Sequence, residues 1–83
     1  MDKNTFLDKM KELNVHPKFY SIDGEQKEYA FNLVRNESGS YSVFYCERGE
    51  IVKKMKFKQL NEAFDALYGR ILKELSYGSD LSK

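Results

Sequence analysis

Tyr41-Ser42-Val43-Phe44-Tyr45-Cys46-Glu47-Arg48-Gly49-Glu50-Ile51-Val52-Lys53-Lys54-Met55-Lys56-Phe57-Lys58 decides the architecture, because β-forming residues fill both halves and Gly49 permits a tight reversal between them. The first half, Tyr41 to Arg48, is apolar on both faces: Tyr41, Val43 and Tyr45 alternate with Phe44 and Cys46. The second half, Ile51 to Lys58, opposes Ile51, Met55 and Phe57 to Lys54, Lys56 and Lys58. Upstream, Lys27 to Arg35 alternates Tyr29, Phe31 and Leu33 with Glu28, Ala30 and Asn32, which predicts a half-buried strand. Asn36-Glu37-Ser38-Gly39-Ser40 supplies the hairpin connection between these strands. Before them, Lys18 to Ile22 has β-forming character and runs into the turn residues Asp23-Gly24-Glu25-Gln26.

Helices bracket the strands. Leu60, Ala63, Phe64, Leu67, Tyr68, Ile71, Leu72 and Leu75 recur at i, i+3, i+4 spacing, which predicts an amphipathic helix from about Gln59 to Ser76. Phe6, Leu7, Met10 and Leu13 predict a shorter one from about Thr5 to Asn14, capped by Asn4 or Thr5 and stopped by His16-Pro17. The expected fold is α+β: a four-stranded antiparallel meander sheet with an N-terminal and a C-terminal helix packed on one face, in the order α-β-β-β-β-α. Residues 1–76 form one domain in this reading, and 77–83 form a flexible tail without a role.

Composition narrows the function classes. A chain of 83 residues supports a single core. Its 14 Lys+Arg and 13 Asp+Glu leave a formal net charge of +1. The charge is polarised along the chain, with three cationic and six anionic side chains in 21–50 against seven and four in 51–83. One cysteine cannot close an internal disulfide and one histidine cannot build a multi-histidine metal site, so no metal or cofactor is expected. There is no phosphate-cradling glycine loop and no nucleophile elbow, and His16 has no Ser, Cys or second His near it in sequence. An enzyme is therefore not expected. The polar opening residues and the lack of a long apolar run predict neither a signal peptide nor a membrane span, and with the unpaired Cys46 they point to the cytoplasm.

The sheet supplies the candidate binding residues. A two-residue loop at Gly49-Glu50 pairs Cys46 with Lys53, Phe44 with Met55 and Ser42 with Phe57, so that Phe44 and Cys46 point at the helices with Met55 and Phe57. Tyr45 then lies opposite Lys54, Val43 opposite Lys56 and Tyr41 opposite Lys58 on the helix-free face. A longer loop would slip the register by one and swap which side of Tyr41–Arg48 is buried, leaving some aromatic or Phe44 and Cys46 surface outside in either case. Tyr41, Tyr45, Lys54 and Lys56 would form a partner surface, extended at the turn by Glu47, Arg48 and Glu50. Two partner classes fit it: a protein, or a single-stranded nucleic acid held by Tyr41, Tyr45, Lys54, Lys56 and Lys58. The oligomeric expectation is a monomer or a weak homodimer sealed through the exposed sheet face.

Tyr45-x-Glu47-Arg48-Gly49, with Asp23-Gly24-Glu25 before it and Phe57 and Glu62-Ala63 after it, resembles the pattern of a group of small bacterial immunity proteins from polymorphic-toxin systems. The resemblance runs from about Tyr20 to Phe64 and departs at Tyr41, where the group tends to carry Trp, and at Cys46. It implies a stoichiometric cytosolic inhibitor that binds a cognate toxin domain and performs no chemistry.

Overall fold

The central reversal is one residue earlier than the expected loop. In the computed structural model, which describes residues 1–83, the turn is Arg48-Gly49, with φ of 52° and 78°. Positive φ at both central positions is what a type I′ hairpin turn requires, and it joins strand β3 (Tyr41–Glu47) to strand β4 (Glu50–Phe57). Glu47 therefore pairs with Glu50, Cys46 with Ile51 and Tyr45 with Val52. Lys53, at φ 51°, then opens a β-bulge in which Lys53 and Lys54 together oppose Phe44. Beyond it Val43 pairs with Met55, Ser42 with Lys56 and Tyr41 with Phe57.

This register exchanges the faces of β3. Tyr41, Val43 and Tyr45 point toward the helices, and Ser42, Phe44 and Cys46 point away. The helix side carries the main core. Phe31, Leu33 and Val43 from the sheet meet Phe6 and Met10 of helix α1 (Lys3–Glu12) and Ala63, Phe64, Leu67 and Ile71 of helix α2 (Leu60–Ser76). The Phe6 ring packs 5.5 Å from Phe64 and meets Tyr20 edge-on at 5.4 Å. The α1 cap is Asp2 and not Asn4 or Thr5: its Oδ1 accepts the Thr5 N–H at 2.8 Å. That bond holds the Asp2 carboxyl below its ordinary pKa.

Strand β1 (Tyr20–Ser21) departs from the meander. It runs parallel to β2 (Ala30–Arg35), pairing Tyr20 with Phe31 and Ser21 with Asn32, so the sheet is mixed, in the order β1-β2-β3-β4. A parallel pair obliges the chain to travel back before it re-enters the sheet. Residues 22–29 make that return across the helix-free face, and the hydrogen bonds show where they lie. Asn32 Oδ1 accepts the Lys27 N–H at 2.9 Å, while Asn32 Nδ2 donates to the carbonyls of Lys27 at 3.1 Å and Ala30 at 2.9 Å. Gln26 Nε2 donates to Cys46 Sγ at 3.4 Å. Glu28 takes the Cys46 thiol at 3.5 Å on one oxygen and the Gly49 N–H at 3.0 Å on the other. The strap explains why Ala30, Asn32, Ser42, Phe44 and Cys46 are all buried although no helix covers them.

Strand β2 begins at Ala30 and not at Lys27, because Tyr29 sits at φ 55° and turns the strap into the sheet. The segment after α2 also differs from the sequence reading. Leu81 is buried in the main core and its carbonyl accepts the His16 N–H at 2.6 Å, so an apolar residue within a polar stretch ties 77–83 down. No helix is long and apolar enough to cross a membrane.

Two outcomes test the strap. Asn32→Ala removes three hydrogen bonds at a site with no accessible surface, and a loss of about 2 kcal/mol is expected in urea denaturation. Burial and the Glu28 carboxylate raise the Cys46 thiol pKa, so it stays protonated through pH 8. A disulfide reagent at that pH is expected to react about 100-fold faster in denaturant than with the native protein.

Candidate functional site

The helix-side face of the sheet is not fully covered. Between α2 and the turn end of β3 and β4 lies a cleft of ≈ 550 Å³. Phe31 and Tyr45 line it from adjacent strands, their ring centroids 5.0 Å apart. Val52 and Lys53 of β4, Arg70 and Glu74 of α2, Tyr29 and Glu47 complete most of its wall. A second hollow shares Phe31, Lys53, Arg70 and Glu74 with it and continues past Met55, Lys73 and Tyr77. The two form one continuous concave surface along α2.

Arg70 holds this surface together. The bulge at Lys53 turns backbone carbonyls out of the regular ladder, and the guanidinium collects them. Nη1 donates to Lys53 O at 2.9 Å and to Val43 O at 3.4 Å, and Nη2 reaches Val52 O at 3.5 Å. Its Cζ lies 5.7 Å from the Phe31 ring centroid, a cation–π distance. Burial lowers the Arg70 pKa, but a guanidinium remains charged at neutral pH. No carboxylate pairs with it. The four ion pairs of the fold are Met1–Asp65, Lys3–Asp23, Lys9–Glu12 and Lys83–Asp80.

Two residues hold costly backbone conformations on the same cleft. Tyr29 and Lys53 both have left-handed φ, which disfavours residues with bulky side chains. The Tyr29 N–H donates to Cys46 O at 2.6 Å, extending the β2–β3 ladder by one bond and presenting a ring that is 49% exposed. Tyr45 is half-buried at the base of the cleft. Burial first, and then the charges of Glu47 and Glu74, raise its phenol pKa, so it stays a neutral hydrogen-bonding group well into the alkaline range.

Of the residues singled out by sequence, Tyr45 and Glu47 lie on this cleft. Arg48 occupies the turn, and Glu50 faces Glu47 across the hairpin. Tyr41 stands at the other end of β3, packed beside the core opposite Phe57. Lys54 and Lys56 project from the opposite face of β4. The expected helix-free surface of tyrosines interleaved with lysines is therefore not formed, because the turn position and the bulge put the two residue types on different faces. The sequence reading missed Tyr29, Lys53, Arg70 and Glu74. One signal was present: Val52, Met55 and Phe57 share a face only if an extra residue is inserted between the first two. Another was Leu67, Arg70 and Glu74 on one stripe of α2, a charged pair bordering the apolar face.

Comparison with family models, curated proteins and solved structures finds no match to this chain. The site's chemistry is therefore argued from its own geometry. It offers aromatic and aliphatic surface with charged groups of both signs, and no three His, Cys, Asp or Glu side chains converge to hold a metal ion.

Replacing Arg70 by Met removes the fork that gathers the bulge carbonyls and is expected to cost about 2 kcal/mol in chemical denaturation. Arg70→Lys, which offers a compact ammonium in place of the planar fork, is expected to recover less than half of that.

Proposed function

We propose that this chain is a non-catalytic protein-binding module of the immunity type, which neutralises a toxin by direct stoichiometric binding through the α2–β4 surface. One observation carries the reading. Of the six large apolar side chains left exposed, Tyr29, Met55 and Tyr77 gather on the rim of this one concave surface, at 49%, 48% and 71% exposure. Tyr, Met and Arg are the residue types enriched where proteins meet, and a hollow with Phe31 and Tyr45 inside it gives a partner's side chains somewhere to insert. The two strained residues support the same reading, since a fold that holds Tyr29 and Lys53 at positive φ spends stability on the shape of this wall.

The Tyr45-x-Glu47-Arg48-Gly49 run, which carries the resemblance to immunity proteins, forms the strand end and turn beside the cleft. Mixed charge around an aromatic interior suits a folded protein surface better than a polyanion, whose binding needs a dominant cationic field.

Capture from lysate of the source cell, with nuclease present, tests the proposal. The expected result is a 1:1 complex with a protein that arrests growth when expressed alone and is harmless when this chain is co-expressed. Tyr29→Ala and Met55→Glu, both at exposed positions, are expected to weaken that complex at least about tenfold without loss of fold. A retained protein that is harmless alone, or retention that disappears with nuclease, would overturn the proposal.

A further inference from the structure

Strand β4 has a neighbouring strand on one side only. It stands last in the order β1-β2-β3-β4, so alternate residues along its outer side present N–H and C=O groups with no strand to bond to. The bulge confines the regular part of this edge to the second half of the strand, where Met55, Lys56 and Phe57 pair without interruption with Val43, Ser42 and Tyr41. Side-chain chemistry divides by face along this stretch. Met55 and Phe57 lie on the helix side, Phe57 packed beside the core and Met55 exposed on the hollow it shares with Tyr77. Lys54 and Lys56 project from the other face, both exposed, and Lys58 follows them. No acidic residue occurs between Ile51 and Asn61, and none of these lysines belongs to an ion pair.

The two features act on different properties of a ligand. An open edge bonds the backbone of any extended chain, and the side chains beside it decide which chain is accepted. Opposite charges and apolar groups facing each other across a strand pair stabilise a sheet, whereas like charges there destabilise it. A segment that alternates carboxylates with apolar side chains meets both faces of β4 at once: its carboxylates face Lys54 and Lys56, and its apolar groups cover Met55 and Phe57 toward the exposed ring of Tyr77. We infer that the outer edge of β4 receives an extended acidic and apolar segment of the protein partner as a fifth strand, bonded through its backbone and selected by the lysines. The inference rests on the protein-binding reading and names the segment its partner must present. It also gives Met55, which α2 leaves open, a covering group on the partner.

Titration of the intact protein with an end-capped peptide alternating Glu and Val, followed by amide NMR, tests it without the natural partner. The expected result is saturable shifts at millimolar peptide, centred on residues 54–57, with slower hydrogen exchange of the amides there. Two controls separate the components: a peptide with Lys in place of Glu, and the Glu-Val peptide with its backbone N-methylated, are each expected to bind at least about tenfold more weakly. Lys54→Glu combined with Lys56→Glu, both at exposed positions, is expected to reverse the preference between the Glu-Val and Lys-Val peptides. No shifts with the Glu-Val peptide, equal binding of its N-methylated form, or an unchanged preference in the double variant would overturn the inference. So would the same shifts on concentrating the protein alone, which assign the edge to a second copy, or tighter binding there by a single-stranded oligonucleotide. A captured toxin complex that tolerates the double substitution leaves the protein-binding reading standing and removes the fifth strand alone.

Discussion

The position of positive φ in the β3–β4 connection governs the rest of the molecule. Placing it at Arg48 and Gly49 sets Glu47 against Glu50, and that pairing assigns each residue of β3 to a face. A turn one residue later would send Tyr41 and Tyr45 to the opposite side. The bulge at Lys53 is the necessary companion of this choice. Without its extra residue, Met55 and Phe57 could not share the helix-side face with Val52, and β4 would turn its apolar residues away from α2 beyond the third pair. Arg70 then stabilises the irregularity by taking the displaced carbonyls, so one guanidinium on α2 links the helix to the least regular part of the sheet.

A small chain has too few elements to cover both faces of a four-stranded sheet with helices. Here the second face is covered by eight residues of connecting chain, 22–29, whose polar groups bond to polar groups on the sheet. Asn32 is the pivot of that arrangement, since its amide matches the strap's backbone in both donor and acceptor sense. The result is a second layer built from hydrogen bonds over a small apolar group, quite unlike the side-chain packing of the main core. The same strap ends at Tyr29, so the chain that closes one face of the sheet also delivers an aromatic ring to the cleft on the other.

Much of this architecture was legible in the sequence because its signals are periodic. The α2 stripe from Leu60 to Leu75, the strand character of Tyr41–Glu47 and the reversal near Gly49 all survive in the structure with boundaries shifted by a residue or two. The errors have two physical origins. Alternation gives the two faces of a strand but not which is inward, and a one-residue difference in the turn inverts the answer. The apolarity of β3 on both faces reflects burial on both, under the helices on one side and under the strap on the other. That strap has no periodic signature, and neither has the parallel pairing of Tyr20–Ser21. The cleft was half visible: Tyr45 and Glu47 belong to the strand–turn pattern, whereas Tyr29, Arg70 and Glu74 come from elements that meet only after folding.

Strand β4 lies at the edge of the sheet, and one side of its backbone is left without a neighbouring strand. With a net charge of +1, the whole molecule repels its copies only weakly. Protection against edge-to-edge stacking must then be local, and β4 has it: Lys53, Lys54 and Lys56 within eight residues, and a bulge that breaks the straight row of donors and acceptors. Two copies aligned along this edge would crowd these lysines against one another. Lys54 and Lys56, expected in a partner surface, thus also stand along the open edge of the sheet, where their charge disfavours a fifth strand from a second copy.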